Sequence, residues 1–123
     1  SCVMRSRSNT ALQSLGLLNE TQRIEMSRKL AERLIKSTDD DQRRLDFLYG
    51  LLSSRKPTAN EKKACMKLVS TMRERYKSSE EDALSLISSG DAPRDQKIPV
   101  AELAAWTQLT TIVLASDAAI LIY

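Results

Sequence analysis

The spacing of apolar residues along the first third of the chain predicts two helices. Residues 10–18 form a short apolar pattern at helical spacing, and Asn19 is suited to end it. The apolar positions in this pattern are Ala11, Leu12, Leu15 and Leu18. From Glu20 to Ile35, an apolar stripe alternates with a charged face. Pairs at i, i+4 spacing, Glu25 with Lys29 and Glu32 with Lys36, predict that this face is exposed to water.

The middle of the chain carries signals for the starts of two further helices. Acidic residues 39–41 precede an apolar pattern that ends near Ser53, with Phe47 beside it. The positions predicted to face inward are Leu45, Leu48, Leu51 and Leu52. Next, Pro57 and Thr58, followed by Glu61, form a capping-box signature. The apolar stripe of the helix that it starts consists of Cys65, Leu68, Val69, Met72 and Tyr76.

The last third of the chain predicts a short helix, a loop and a long helix. Acidic residues 80–82 follow two serines and start a helix that Gly90 ends. After the loop, Pro99 suits the first turn of an apolar helix, and Asp117 is predicted to start or bend a last turn. Taken together, the pattern predicts an all-α fold, a compact bundle of five to six helices with no sheet, in one domain over residues 1–123.

Composition supports one small helical domain and narrows its partners. The chain has 123 residues, 41% of them hydrophobic, and only three glycines and three prolines. Its net charge of +3, from 19 basic and 16 acidic residues, falls short of the dense basic patches of nucleic-acid binders. The uncharged stretch 103–116 is shorter than the roughly 20 residues that span a bilayer. Neither a nucleic-acid partner nor a membrane span is expected.

No catalytic, cofactor-binding or metal-binding residue can be assigned from the sequence. The chain has no histidine, which removes Ser-His and Cys-His relays and imidazole metal ligands. The acidic clusters 39–41 and 80–82 lie at predicted helix starts, where the helix dipole accounts for them. Cys65 and Trp106 are predicted to be buried core residues, whereas Cys2 is left open.

Two charged features remain as candidate docking surfaces. A basic series could bind phosphate or an acidic polysaccharide, although a solvated helix face is favoured because Glu25 and Glu32 interrupt it. The series consists of Arg5, Arg7, Arg23, Arg28, Lys29, Arg33 and Lys36. The second feature is the loop with Pro93, Arg94 and Asp95, whose charges no local folding rule requires.

Several short motifs occur together in a fixed order along the chain. They are Asn9, Thr10, Leu12, Gln13, Leu15, Leu17, Leu18 and Asn19; Arg55, Pro57 and Thr58; Gly90, Pro93, Arg94 and Asp95; and Ala101 through Thr107. With these motifs the chain resembles the C-terminal domain of unknown function of planctomycete cytochrome-c-associated proteins. It departs from that pattern at Ala11, Lys56, 99–100 and 115–118, where only Asp117 of the final group is kept.

The resemblance implies a large, exported, multidomain protein, periplasmic or at the cell surface, of which this chain is a C-terminal part. Residues 1–9 are then a lead-in from an upstream domain, in keeping with the lack of an initiator Met. A haem-binding cytochrome module often accompanies the family upstream. This chain has no Cys-x-x-Cys-His, so any haem lies outside it.

Two hypotheses for function follow. In the first, the chain is a non-catalytic helical module that packs on upstream domains or on a protein partner, through Arg5, Arg7, Arg94 and Asp95. In the second, it is an accessory part of an active site that upstream domains complete, in a polysaccharide-related or redox enzyme, to which Arg94 or Asp95 contributes.

Overall fold

The fold is a bundle of α helices, as predicted. The computed structural model describes residues 18–90 and 93–122, with side chains to residue 116, and no strand occurs within these ranges. The five helices are α1 (Glu20–Ser37), α2 (Asp41–Ser53), α3 (Ala59–Ser78), α4 (Glu80–Ile87) and α5 (Val100–Ile122). The helix predicted over residues 10–18 lies outside the described residues except for Leu18.

Three helices begin at side chains that cap them. Asn19 caps α1: its side chain accepts from the Gln22 N–H at 2.8 Å, and the Gln22 side chain accepts from the Asn19 N–H at 3.0 Å. Asp40 caps α2 with its side chain alone, which accepts from the Arg43 N–H at 3.2 Å. The predicted capping box of Thr58 and Glu61 starts α3.

The Arg55 motif strengthens the start of α3. Its guanidinium donates to both carboxylate oxygens of Glu61, at 2.8 and 3.1 Å, and also lies over the ring of Tyr49. Hydrogen bonds from Arg55 and from the Thr58 N–H lower the pKa of Glu61 to about 2. The family-like residues Arg55 and Thr58 therefore have a local structural role.

The core of the bundle surrounds α5. This helix packs against α1, α3, α4 and, less extensively, α2. Its residues 103–107, 109 and 110 are buried on successive turns, so it is enclosed on all sides in this segment. Trp106 is fully buried, which confirms its prediction as a core residue. Asp117 does not start a new element, because α5 continues to Ile122.

The apolar stripes of α2 and α3 are buried largely as predicted, with one exception. Leu45 and Leu48 of α2 are fully enclosed, whereas Leu51 is 38% exposed. Leu51 lies off the stripe that Leu45, Leu48, Tyr49 and Leu52 form around the helix, so it does not reach the core. Within the described residues, no helix has the length and apolar content needed to cross a membrane.

Alanine substitutions of two leucines on α2 should distinguish a core position from a surface position. We expect Leu48→Ala to lower the free energy of unfolding by about 2–5 kcal/mol, because it leaves a cavity in the packed core. Leu51→Ala on the same helix should cost about 1 kcal/mol or less, since its side chain is already partly in water. Urea unfolding followed by circular dichroism measures both values. Equal losses for the two variants would contradict this assignment of the buried face.

Candidate functional site

The loop between α4 and α5, residues 88–99, lies across α1. At its start, Gly90 has a φ of +88°, a backbone conformation that side chains with a Cβ rarely adopt. A Cβ at Gly90 would lie 2.6 Å from the carboxyl carbon of Glu25 on α1. Both the backbone conformation and the close approach to α1 therefore require glycine here. The family-like Gly90 sets the point at which the loop meets the helix.

Three polar contacts, together with one ion pair inside α1, then fix the α4–α5 loop to α1. The Arg28 guanidinium donates to the Pro93 carbonyl at 3.3 Å and to the Glu32 carboxylate at 3.0 Å. The same Glu32 oxygen accepts from the Asp95 N–H at 2.8 Å. Lys36 completes the set with an ion pair to the Asp95 carboxylate at 2.6 Å. The loop is therefore held on both sides of Arg94.

Asp95 also shapes the α4–α5 loop internally. One of its carboxylate oxygens accepts from the Lys97 N–H at 2.9 Å, and its carbonyl accepts from the Ile98 N–H at 3.3 Å. This turn places Ile98 in the core. The hydrogen bond from Lys36 and that from the Lys97 backbone hold the pKa of Asp95 below its usual value. Asp95 is thus ionised near neutrality and is already used within the fold.

Arg94 differs from its neighbours. Its backbone lies over α1 between Arg28 and Glu32, because the residues on either side are bonded there. Its side chain is partly exposed, and in the described part of the chain it makes no hydrogen bond or ion pair. Of the predicted docking residues, the structure brings Arg94 and Asp95 together on one anchored loop. Arg5 and Arg7 lie outside the described residues.

The charged face of α1 is not the open surface that its i, i+4 pairs suggested. Glu32 pairs with Arg28 instead of Lys36, and the side chain of Arg28 is only 1% exposed. Lys36 turns to Asp95, which is remote in sequence. The prediction that this face is exposed to water holds for Lys29 and Lys36, whereas Glu25 and Glu32 are only partly exposed. Helical periodicity alone does not reveal that a loop distant in sequence contacts these two acids.

A second charged group, which the sequence did not reveal, surrounds Glu102 near the start of α5. Its carboxylate accepts from both Arg73 of α3, at 2.7 Å from two nitrogens, and Arg44 of α2, at 2.9 Å. It also accepts from the Trp106 indole N–H at 3.2 Å. Asp41 shares both arginines, with its closest contact to Arg73 at 3.0 Å. We call these four charged residues, Asp41, Arg44, Arg73 and Glu102, the Glu102 network.

The Glu102 network neutralises charges that lie partly inside the bundle. Burial by itself raises the pKa of Glu102, but hydrogen bonds and charge from Arg73 and Arg44 outweigh it and leave that pKa below its usual value. Glu102 is therefore ionised near pH 7 and saturated with donors. A carboxylate in this state holds no proton to donate and has its oxygens already occupied, so the arrangement suits the joining of three helices rather than acid-base chemistry.

The remaining candidates have structural explanations. Cys65 is buried as predicted, and burial raises the pKa of its thiol, which opposes the reactive thiolate. Asp40 of the first acidic cluster is a helix cap, in agreement with the prediction, whereas Asp41 belongs to the Glu102 network. Residues 80–82 lie in the exposed first turn of α4. Cys2 lies outside the described residues.

One feature of the sequence is consistent with the Glu102 network. Glu102 is the only charged residue between Lys97 and Asp117, in a helix that is otherwise apolar or neutral. A carboxylate in such a helix requires partners when it is buried, and the partners must come from other elements. The sequence does not say which of its arginines reach this position.

Two glycine substitutions should have opposite effects. Gly90→Ala should lower the free energy of unfolding by more than about 1 kcal/mol, because it combines a positive φ with the contact to Glu25. Gly50→Ala, inside α2, should raise stability by about 0.5–1 kcal/mol, since nothing lies within 4 Å of the added Cβ and alanine favours helix. Urea unfolding measures both. If Gly90→Ala had the same free energy of unfolding as wild type, the close contact between Gly90 and Glu25 on α1 would be refuted.

The Glu102 network should make stability depend on pH. We expect Glu102→Gln to lower the free energy of unfolding by about 1–3 kcal/mol at pH 7, because Arg44 and Arg73 lose a charged acceptor. Since the pKa of Glu102 is lowered in the fold, its contribution is present above the usual carboxyl range and disappears as pH falls through the folded pKa. The difference between wild type and variant should therefore shrink in acid.

A matched control is Glu74→Gln, which removes a carboxylate that is 75% exposed and 3.9 Å from Lys77. Its effect should stay within about 0.5 kcal/mol. Urea unfolding at several pH values compares the two variants. If Glu102→Gln were as mild as Glu74→Gln at pH 7, the network would not be stabilising.

Comparison with known proteins gives one family match. The model of a family described as "PSD1: Protein of unknown function (DUF1553)" matches residues 1–69. Neither the curated proteins nor the solved structures contain a match to the chain. The matched range includes α1 and α2, which supply Arg28, Glu32 and Arg44 to the two charged groups, whereas the α4–α5 loop and Glu102 follow it. Because the match covers more than half of the chain, the protein belongs to the PSD1 family of proteins of unknown function (DUF1553).

Proposed function

We propose that the chain is a non-catalytic helical module that packs on upstream domains of the same protein or on a protein partner. The observation that carries this proposal is the state of Arg94. A partly exposed guanidinium, with no partner among the residues that the structure describes, lies on a loop that α1 holds at both neighbouring residues. An anchored arginine of this kind can form charge-assisted hydrogen bonds to another protein at a small entropic cost.

The contacts of Asp95 favour docking over the alternative of an accessory active-site residue. Lys36 and the Lys97 N–H occupy the two oxygens of its carboxylate, and its own N–H is bonded to Glu32. A group engaged in this way supports the loop rather than a reacting substrate. Only Arg94 of the loop motif is available to a partner, and a single arginine suits recognition of a carboxylate.

The wider setting is part of the same proposal and rests on the sequence resemblance. We place the module in an exported, cytochrome-c-associated multidomain protein of the planctomycete type, with any haem bound upstream. Arg5 and Arg7 supply a second docking surface close to the upstream domain. The family match to a domain of unknown function agrees with this setting at the level of the family alone.

The proposal predicts that Arg94 couples this module to its neighbour. In the full-length protein, Arg94→Ala should lower the melting temperature of the module by about 4 °C or more, which corresponds to the loss of one charge-assisted hydrogen bond. In the isolated 123-residue chain, the same variant should melt like wild type, because Arg94 has no partner within the described residues. Differential scanning calorimetry of both forms measures these shifts.

Lys97→Ala is the matched control, since Lys97 is exposed in the same loop and its backbone contact to Asp95 survives the substitution. It should leave both melting temperatures unchanged. Equal shifts for Arg94→Ala in the full-length and isolated forms, or no shift in either, would contradict docking through Arg94. Loss of a turnover of the full-length protein with unchanged melting would instead support the enzymatic alternative.

A further inference from the structure

The α4–α5 loop changes the charge that α1 shows to solvent. In the sequence, acids and bases alternate along this helix. In the fold, Glu25 packs against Gly90 and Glu32 bonds to Arg28 and to the Asp95 N–H, so both acids are partly buried under the loop. Apart from Glu20 at its first position, the exposed charged residues of α1 are all basic, namely Arg23, Lys29, Arg33 and Lys36. Glu25 and Glu32, which interrupt the basic series in the sequence, are therefore less exposed in the fold than the cations around them.

Three exposed or partly exposed cations of α1 and of the α4–α5 loop have no acidic partner within the described residues. Lys29 and Arg33 are one helical turn apart on α1, and Arg33 lies over the Phe47 ring of α2 at 5.4 Å. Along α1, the backbone of Arg94 lies at the level of Arg28 and Glu32, the same stretch of the helix that includes Lys29 and is followed by Arg33. We call Lys29, Arg33 and Arg94 the cationic band. Lys36 is left out because Asp95 neutralises it.

The aromatic residues argue against nucleic acid or sugar as the occupant of this surface. In the described part of the chain, each aromatic ring has an arginine guanidinium within 6 Å of its centre, and three of the four rings are buried. Phe47, the ring next to the cationic band, is covered by Arg33. Single-stranded nucleic acids are bound largely by stacking bases on open rings, and this surface offers none.

From this charge distribution we infer that the cationic band docks an acidic protein surface. This inference rests on the proposed function and names the chemistry of the partner. Arg33 is oriented by its contact with Phe47, and a guanidinium in a fixed orientation favours bidentate contact with a carboxylate. Complementary charge also accelerates encounter and selects against basic partners.

A binding titration tests the charge preference directly. A fluorescein-labelled oligoglutamate peptide is titrated with the 123-residue chain at low salt, and fluorescence anisotropy reports the affinity. Lys29→Gln/Arg33→Gln should weaken binding by about fivefold, the effect of two exposed ion pairs. The matched control is Lys63→Gln/Lys67→Gln, which also removes two exposed cations at i, i+4 spacing, but from α3. It should change affinity less than twofold, and thermal melting verifies that both variants fold.

Three outcomes would overturn the inference: no binding of the peptide by wild type, equal weakening by the two double variants, or tighter binding of oligothymidine or of a heparin oligosaccharide under the same conditions. Failure of the inference and failure of the proposed function give different results. Suppose that Arg94→Ala lowers the melting temperature of the full-length protein as predicted, while Lys29→Gln/Arg33→Gln leaves peptide binding intact. The docking proposal then stands, and the inference that the partner surface is acidic is refuted. Peptide binding that depends on Lys29 and Arg33, without coupling through Arg94, refutes the proposed function instead.

Discussion

Burial of α5 is the constraint on which the rest of the bundle depends. Its residues 103–107, 109 and 110 are enclosed, so other helices must cover it from several directions at once. The apolar stripes of α1, α3 and α4 meet this requirement, and α2 closes the remaining side near the start of α5. The short polar turns between α1 and α4 then have little freedom in where they lead. The hydrophobic effect thus sets the arrangement, and the polar groups adapt to it.

Both charged groups of the fold are consequences of this packing. Glu102 lies at the start of the central helix, where burial would be costly without donors, and Arg44 and Arg73 supply them from two neighbouring helices. The α4–α5 loop must return the chain to α5, and its path crosses the charged stripe of α1, where Arg28, Glu32 and Lys36 hold it. One of these groups joins helices, and the other holds a loop that presents Arg94.

Periodicity and capping chemistry predicted most of the helices because both are local. Thr58 with Glu61, and the acidic residues before α2, act within a few residues of the groups that they bond. The candidate site was predicted only in part for the same reason. The loop motif around Arg94 and Asp95 stood out in the sequence, but its anchors on α1 are more than 60 residues away along the chain.

The sequence by itself determined the helical class, the apolar stripes, the caps and the lack of histidine chemistry, since each depends on residue type and short-range spacing. Only the tertiary structure decided that Arg28 is buried, that Glu102 binds two arginines, and that Glu25 and Glu32 are partly buried while Lys29, Arg33 and Lys36 stay exposed. These features depend on which distant segments meet. The charge of each side chain follows from the sequence, but the exposure of that side chain and its partners depend on the packing around α5.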